Sequence, residues 1–423
     1  MKRFLTLLTL ILASQNANAG VFDGTQGEGT EISPYLIYNI TDLKEVADTI
    51  NLTNVFNRNF HFKLMADITT PVDFSIGHNN PQITHRFSHS FDGNMYKITV
   101  AINTSQYVAL FGFIDSNGVI KNLSVDGEVI SATGEVGSIA GRNYGIIQNC
   151  TNYASINSSL IAHAGGIVGV NYGIIQNCIN YGEIIGNLYA GGIVGVMSAG
   201  LLFGCINAAN VTGTTITGGI VGYATGAQGY NDGVIITNCL NIGTIICDNY
   251  VGGIVGRAVR TDNRDPAMFI QNCVNAGFIK GTGQNNATAG IVCIFFAPSS
   301  AGADIIISNS INTGVVEGNN NVSAIISFVG TSTSLTLTNC HYDKQFCNHK
   351  GVNGVDIIGQ AEGHLTRNMV GRKLASLLGD IDWTYVERAT LIECLYPQLK
   401  VLDNTDASKV GATPIFLYDG IKD

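Results

Sequence analysis

One short phrase recurs along the chain and limits the folds that the chain can adopt. It reads Gly-Gly-Ile-Val-Gly at Gly165–Gly169, Gly191–Gly195, Gly218–Gly222 and Gly252–Gly256, with a related form at Val136–Gly141. Degenerate forms begin at positions 289 and 323. The starts at 165, 191, 218, 252, 289 and 323 follow one another in steps of 26, 27, 34, 37 and 34. A period of this length is typical of a solenoid, in which each repeat stacks on the one before it.

Two further phrases follow the first in most repeats. The second ends in Asn-Cys and stands at Ile146–Cys150, Ile174–Cys178, Ile235–Cys239, Phe269–Cys273 and Thr336–Cys340, with a degraded copy at Gly204–Cys205. The third begins with Asn, as at Asn180–Gly186, Asn241–Ile246 and Asn275–Gly281. Each repeat thus contains three short β-rich runs separated by Gly and Asn, the residues that accept positive φ at corners. Three strands and three corners in roughly 27 residues describe one coil of a parallel β-helix.

We therefore predict an all-β fold: a right-handed parallel β-helix, or β-solenoid, over residues 60–345. Roughly seven to ten coils would make a rod about 35–50 Å long. Residues 20–59 are expected to cap the open first coil, with a short helix over Thr41–Ile50 and Thr41 as its N-cap. Residues 346–423 are expected to form a small C-terminal capping segment.

The only tryptophan, Trp383, lies in the predicted C-terminal cap. Its expected role is burial against the last coil. A sugar-stacking role is the alternative.

The repeated Asn-Cys pairs predict side-chain ladders inside the solenoid. An inward Asn ladder bonds its amides up and down the stack, and the adjacent Cys then behaves as a small buried hydrophobe. Disulfides and a metal site are the alternatives for the ten cysteines. The absence of Cys-x-x-Cys disfavours metal. Cys340, Cys347 and Cys394 lie outside the regular ladder, or at its end, and are the best disulfide candidates.

The segment 1–19 reads as an export signal. Lys2 and Arg3 precede an apolar run over Phe4–Ala13, and Ala17-Asn18-Ala19 supplies a cleavage site near Ala19. That run is about half of the roughly 20 residues that span a bilayer, and no other stretch is long and apolar enough to be a transmembrane segment. We expect a secreted or cell-surface protein.

The charge balance limits the partners. There are 22 basic and 31 acidic residues, for a net charge of −9. Removing Lys2 and Arg3 with the signal leaves 20 against 31, or −11. A negative chain is disfavoured as a nucleic-acid binder and as a ligand for anionic lipid.

Parallel β-helices include polysaccharide lyases and hydrolases, whose sites need carboxylates and a basic residue together on adjacent coils. Over residues 136–256 the charged side chains Arg142, Glu183, Asp232 and Asp248 are scattered and out of register. One local cluster lies in an apparent insertion and is either a solvated loop or a ligand-contact patch. It consists of Arg257, Arg260, Asp262, Arg264 and Asp265.

Four histidines near the N-terminus match no standard metal or acid–base motif. They are His61, His78, His85 and His89, with Asp92 nearby. We therefore assign no catalytic residue, no cofactor and no metal ligand.

Nine Asn-x-Ser/Thr sequons occur, and several are expected to carry glycans if the source is eukaryotic. Asn149 is expected to face inward and to be unavailable. The sequons are at Asn39, Asn51, Asn103, Asn122, Asn149, Asn157, Asn210, Asn286 and Asn321.

The repeat at 165–185, with its Gly-Gly-Ile-Val-Gly, Ile-Ile-Gln-Asn-Cys and Asn-Tyr-Gly-Glu-Ile phrases, resembles the GLUG-motif repeat proteins. The resemblance extends over nearly the whole mature chain, through Pro34–Ile37, Phe91–Asn94, Leu110–Gly112 and Tyr396–Leu399. It implies a surface or secreted protein with an adhesion-like role. Such repeats also accompany some bacterial immunoglobulin A peptidases whose chemistry sits in a separate zinc domain. No His-Glu-x-x-His occurs here, so that activity is not carried over.

We therefore predict a non-enzymatic extracellular repeat protein with a structural or adhesive role. Its partner would be a glycan or a host or matrix protein, bound by stacked side chains and projecting loops. The alternative is a carbohydrate-active β-helix enzyme.

Overall fold

The chain folds into a stack of short coils, seen in a computed structural model. The structure describes residues 20–52, 59–80, 83–226, 233–260, 267–284, 287–296, 305–329, 335–369, 374, 378, 383–384 and 398–399. The predicted signal, residues 1–19, lies outside these ranges.

Three parallel sheets, named here A, B and C, hold most of the described strands. Sheet A contains Tyr35–Ile37, His61–Leu64, Ser90–Asp92, Val119–Lys121, Ile146–Gln148, Ile174–Gln176, Gly200–Phe203, Val234–Thr237, Met268–Gln271, Ile305–Ser308 and Leu335–Thr338. Sheet C contains Phe111–Ile114, Ala140–Asn143, Val168–Asn171, Val194–Met197, Val221–Thr225, Val255–Arg260, Val292–Phe296 and Ile326–Val329.

Sheet B joins the remaining sides of the coils and is interrupted at the corners. Its strands are Ile68–Val72, Lys97–Asn103, Gln106–Val108, Ser124–Val136, Thr151–Asn152, Ser155–Gly165, Ile179–Asn180, Ile184–Gly186, Tyr189–Gly191, Ile206–Asn207, Val211–Gly213, Ile216–Gly218, Leu240–Asn241, Ile245–Cys247, Tyr250–Gly252, Val274–Asn275, Ile279–Gly281, Ala287–Ala289, Ile311–Asn312, Val316–Glu317, Val322–Ser323, Cys340–Asp343 and Ala361–His364. Two antiparallel pairs and two helices complete the described elements: His78–Asn80 with Ile83–His85, Trp383–Thr384 with Gln398–Leu399, and the helices Ile40–Leu52 and Thr366–Met369.

The strand register confirms the predicted parallel β-helix. Each strand pairs in parallel with the equivalent strand of the next coil, as Ile147 does with Ile175 in sheet A. Sheet A has eleven described rungs rather than seven to ten, because the irregular N-terminal strands from Tyr35–Ile37 onward stack in the same sheet. At about 4.8 Å per rung, the stack is about 50 Å long.

The Gly-Gly-Ile-Val-Gly phrase forms a corner at which backbones approach too closely for side chains. A Cβ on Gly191 would lie 1.9 Å from the Val194 carbonyl oxygen, and one on Gly192 would lie 2.1 Å from the Gly219 oxygen of the next coil. A Cβ on Gly195 would lie 2.7 Å from the His163 carbonyl carbon of the preceding coil. Steric exclusion therefore allows only glycine at these three positions. The two residues between them, Ile193 and Val194, are buried in the core.

The Asn of the Asn-Cys phrase does not face inward, so that prediction was wrong. Asn149 and Asn177 both have a φ of 54° and turn the chain at the end of a sheet A strand. Their amides form a partly exposed ladder, in which Asn177 Nδ2 donates to Asn149 Oδ1 at 3.3 Å. The position requires left-handed backbone, which explains why the degraded copy has Gly204, with a φ of 63°.

The inward amide ladder consists of the Asn two residues beyond five of the Cys, and of the Asn two residues beyond Ser310, which stands in the place of a Cys. These side chains are fully buried and bond one another from coil to coil at 2.7–2.9 Å: Asn152, Asn180, Asn207, Asn241, Asn275 and Asn312. Each also closes its own corner. Asn207 Nδ2 donates to the Ala209 oxygen at 2.9 Å, and its Oδ1 accepts from the Ala209 N–H at 3.3 Å. The ladder therefore satisfies backbone groups that water cannot reach.

The cysteines of the Asn-Cys phrase are stacked, buried thiols. Their sulfurs donate to the carbonyl two residues earlier, as Cys239 does to Thr237 at 3.3 Å. Ser310 takes the equivalent place and donates to Ser308 at 3.0 Å. All nine cysteines in the described residues are free, including the disulfide candidates Cys340 and Cys347. Cys394 lies outside the described residues.

The N-terminal helix extends slightly beyond both of its predicted ends. It spans Ile40–Leu52, and its N-cap is Asn39 rather than Thr41. Asn39 Oδ1 accepts from the N–H groups of Thr41 at 2.8 Å and Asp42 at 3.1 Å. An amide oxygen at this position serves the unpaired N–H groups of the first turn. The apolar face of the helix packs into the main core through Leu43, Val46, Ala47 and Ile50.

The five apolar C-terminal side chains that the structure describes pack along the side of the solenoid rather than against its last coil. Trp383 is buried, as predicted, but its partners form a row that runs up several coils. That row, the flank row, is Ile179, Ile206, Leu240, Val274 and Ile311. The C-terminal patch that covers it is Met369, Leu374, Leu378, Trp383 and Leu399.

We expect Asn207→Ala to lower the free energy of unfolding by about 2–4 kcal/mol. It removes bonds to both neighbouring ladder amides and to Ala209 in a fully buried site, and unpaired buried groups are costly. The urea midpoint measures the loss. The control is the exposed Asn210→Ala, which should change stability by less than about 0.5 kcal/mol. Equal stability of the two variants would contradict a structural role for the ladder.

We expect the thiols to be free and unreactive in the folded protein. Burial raises the pKa of Cys340 to about 12 and that of Cys347 to about 11, so little thiolate forms at pH 8. Ellman's reagent should therefore fail to label the nine described cysteines of the native protein. After unfolding without reductant, mass spectrometry should find all nine described cysteines alkylated. A pair that resists alkylation until it is reduced would instead be a disulfide.

Candidate functional site

Two rows of outward side chains meet at the glycine corner. The first belongs to sheet B and contains Tyr107, Glu135, His163, Tyr189, Ile216 and Tyr250. The second belongs to sheet C and contains Phe113, Arg142, Val170, Val196, Tyr223 and Arg257. Together we name these rows the aromatic corner. The glycines between them bring the two strands together, so side chains from different coils touch.

The rings of the aromatic corner stack on each other. His163 and Tyr189 have centroids 5.2 Å apart, and Tyr189 lies 4.7 Å from Tyr223 at an interplanar angle of 11°. Beside the corner, Tyr144 stacks on Tyr172 at 4.6 Å. Stacked rings contact one another through their faces and expose mainly their edges to solvent. The aromatic corner is therefore a stiff, half-buried surface strip.

An ion pair that the sequence reading missed lies within the aromatic corner. Arg142 Nε donates to Glu135 Oε2 at 2.7 Å, and Nη2 bonds the other carboxylate oxygen. The guanidinium carbon lies 5.4 Å from the centroid of Tyr107 and 5.8 Å from that of Tyr172. Burial raises the pKa of Glu135, and the bond to Arg142 opposes that rise. The Arg142 guanidinium is thus held in an ion pair with Glu135.

The predicted arginine-rich cluster is only partly described. The Arg257 guanidinium carbon lies 5.1 Å from the Tyr250 ring centroid, which places this side chain in the aromatic corner. The side chain of Arg260 and the residues Asp262, Arg264 and Asp265 lie outside the described parts of the chain. Asp232 does so too.

The N-terminal histidines separate into two groups. His78 and His85 stack with centroids 5.5 Å apart. His89 is buried among Phe60, Phe62 and Phe87, and burial lowers its pKa to about 4. Asp92 instead accepts from Asn122 and pairs with Lys121. In the part of the chain that the structure describes, no three His, Cys, Asp or Glu side chains gather in a way that could hold a metal ion.

A second histidine pair lies near the end of the described coils. His341 Nδ1 is 3.0 Å from His364 Nε2, and His341 Nε2 is 2.9 Å from Asn339 Oδ1. Burial lowers the pKa of His341 to about 4. The pair therefore ties the strand Ala361–His364 to the coil beneath it.

Among the described residues, the most exposed aromatic side chains lie on another corner. Tyr153 and Tyr181 are 48% and 40% exposed, and their rings stack at 5.3 Å with an interplanar angle of 10°. They follow the inward Asn152 and Asn180 directly. The Asn-Tyr pair thus recurs at the same place in two successive repeats, and that recurrence is the sequence signal that could have revealed them.

The sequons differ in exposure. Asn103, Asn157 and Asn210 are exposed on sheet B or next to its strands, and Asn321 is exposed near sheet B. Asn122 and Asn149 are half-buried members of the corner ladder, and their amides bond each other at 3.2 Å. Asn149 is thus occupied by the ladder, although it does not face the core. Asn286 lies outside the described residues.

No family model matches the chain. A protein named as a Gly-rich membrane protein, from Evansella cellulosilytica, is 36% identical over 147 residues, which are 31% of this chain and 16% of that protein. Halomucin of Haloquadratum walsbyi is 32% identical over 120 residues, which are 28% of this chain and 1% of that protein. The matched segments thus span a small part of both relatives.

A solved structure also aligns with the chain. It is named as an immunoglobulin A1 protease from Bacteroides ovatus, and the alignment covers 89% of this chain and 94% of that one with a TM-score of 0.39 and 19% identity. At that score the similarity supports no inference. Within the described residues, no helix combines the length and the apolar character needed to cross a membrane.

We expect Arg142→Leu to lower the free energy of unfolding by about 2–3 kcal/mol at pH 7, because Glu135 would remain as a largely buried, unpaired carboxylate. The loss should shrink toward pH 5. A carboxyl whose folded-state pKa is raised binds a proton in the folded state first, so stability is regained as the pH falls through that pKa toward 4.5.

Urea midpoints at pH 7 and pH 5 measure this effect. The double variant Glu135→Gln with Arg142→Leu should lack the pH dependence. Lys97→Leu, which breaks the exposed pair with Asp126, should cost less than about 1 kcal/mol. A loss that is the same at both pH values would contradict an unpaired Glu135 as its cause.

Proposed function

We propose that the chain is a secreted or surface-exposed repeat protein of the GLUG-motif kind, with a structural and adhesive role. It would bind an extracellular glycan or a host or matrix protein through stacked side chains and loops, without turning it over. One observation carries the proposal: the same outward positions recur on successive coils in fixed register, as in the aromatic corner. Rows of similar contacts on a rigid surface suit multivalent, individually weak binding.

The names of the relatives and the fold support the proposed location and the structural role. The relatives that match part of the chain carry the names of a Gly-rich membrane protein and of halomucin. Such names, together with a parallel β-helix, are compatible with a surface or extracellular location. The continuous inner ladders support a scaffold role, because each coil is tied to the next by side chains as well as by backbone.

Three carboxylates on the coils are paired with cations, which supports a binding role for them over a catalytic one. Asp126 bonds Lys97 at 2.8 Å, Glu135 pairs with Arg142, and Glu317 lies 3.5 Å from Lys280. A general acid or base must be available to the substrate. These three carboxylates are instead held by neighbouring cations.

A combined binding and turnover assay tests this proposal. The purified mature chain would be applied to an array of glycans and extracellular-matrix proteins, and each glycan spot would be assayed for reducing sugar and for unsaturated ends. We expect saturable binding to at least one ligand and no released product. Product without durable binding would overturn the proposal in favour of a β-helix lyase or hydrolase.

A further inference from the structure

We propose that one sugar ring of a neutral glycan binds on the open face of Tyr181, above Ala208. This site, named here the tyrosine shelf, consists of Tyr181, Ala208, Glu183 and Asn210. The inference rests on the proposed function and deepens it, because it names the ligand class and the place of contact.

The row that contains Tyr181 is defined by backbone bonds between coils. The N–H groups of Tyr153, Tyr181, Ala208 and Ile242 donate to Val125, Asn152, Asn180 and Asn207 at 2.7–2.9 Å. Each donor is therefore one rung above the last, at the same corner. The four side chains stand above one another at about 4.8 Å per rung.

The row changes from rings to a methyl group after two rungs. Tyr153 and Tyr181 lie parallel, so one face of Tyr181 is covered by Tyr153. The next rung is Ala208, which has no ring to cover the other face. The rung after that is Ile242, about 10 Å above Tyr181. The space over Ala208 thus has the height of one flat ring, between an aromatic face and an aliphatic side chain.

Polar side chains border the shelf on one side. The Ile156 N–H donates to the backbone carbonyl oxygen of Glu183 at 2.9 Å, and the Ile184 N–H donates to the backbone carbonyl oxygen of Asn210 at 3.0 Å. Glu183 and Asn210 therefore stand one coil apart in a neighbouring row, and both are exposed. Glu183 is two residues beyond Tyr181, and Asn210 is two residues beyond Ala208. A carboxylate and an amide are thus present at the two rungs that a bound ring would touch.

On its other side the shelf adjoins the flank row. Ile179 and Ile206 are covered, at 4% and 3% exposure, and belong to the cluster of the C-terminal patch. Tyr181 nevertheless remains 40% exposed, and Ala208 is only half-buried. The described C-terminal residues therefore lie beside the shelf and leave it open.

The chemistry of the shelf favours a neutral sugar ring. The face of an aromatic ring is electron-rich and attracts the weakly positive C–H groups on one face of a pyranose. The hydroxyls around the sugar ring need donors and acceptors at its edge, which Asn210 and Glu183 supply. An acidic glycan is disfavoured because Glu183 and the mature chain's net charge of −11 (20 basic against 31 acidic residues) would repel it.

Filling the shelf is the sharpest test. Ala208→Tyr places a ring on the open face of Tyr181, whereas Ala276→Tyr places the same ring at another half-buried position of the same row, one rung above Ile242. The probes are cellohexaose, laminarihexaose and chitohexaose, titrated by calorimetry into the mature chain. Tyr181→Ala is the second variant, and circular dichroism checks the folding of each protein.

We expect at least one hexaose to bind. Ala208→Tyr and Tyr181→Ala should each weaken that binding at least tenfold, and Ala276→Tyr should change it less than twofold. Binding that survives both variants, or no binding of any hexaose, would overturn the shelf. Neither result overturns the adhesive role if the array still shows saturable binding of a protein or of another glycan.

Discussion

The pairing of each coil with the next in register is the constraint on which this protein depends. The short strands of one coil cannot form hydrogen bonds with one another, so their backbone groups bond to the neighbouring coils. Each coil therefore depends on its neighbours for stability. Register then determines everything on the surface, because a shift by one residue would turn the inward side chains outward. The inward Asn ladder strengthens that register, since an amide bonds correctly only with an amide directly above it.

Two of the three corners in each coil turn the chain in different ways. At the Asn-Cys corner a left-handed residue turns the backbone, and the following thiol fills the space and bonds the carbonyl two residues back. At the glycine corner the strands approach so closely that only Gly fits, and the side chains on either side are forced together. The first corner maintains the core. The second creates the aromatic corner, with Arg142 and Glu135 paired among its rings.

The surface properties follow from breaks in these rows. Where aromatic residues continue from coil to coil, as from His163 through Tyr189 to Tyr223, their faces are used within the protein. Where a row changes to a small residue, as from Tyr181 to Ala208, a ring face is left at the surface. Binding is therefore expected at the irregular rungs, while the regular rungs provide stiffness.

The β-helix, its period and its corner residues could be predicted from the sequence, because a fixed spacing of Gly, Asn and β-branched residues is compatible with few other folds. The sequence also indicated a buried thiol ladder. It did not determine which Asn of each repeat faces the core, since Asn149 and Asn152 are both short amides and only the turn between them decides. Which distant side chains meet could be seen only in the folded chain. Trp383 packs on the flank row rather than on the last coil, because the stacked apolar residues there offer more surface than one end. Glu135 and Arg142 meet because the glycine corner folds one strand against the other, and Tyr153 stacks on Tyr181 because a full coil of chain returns to the same corner.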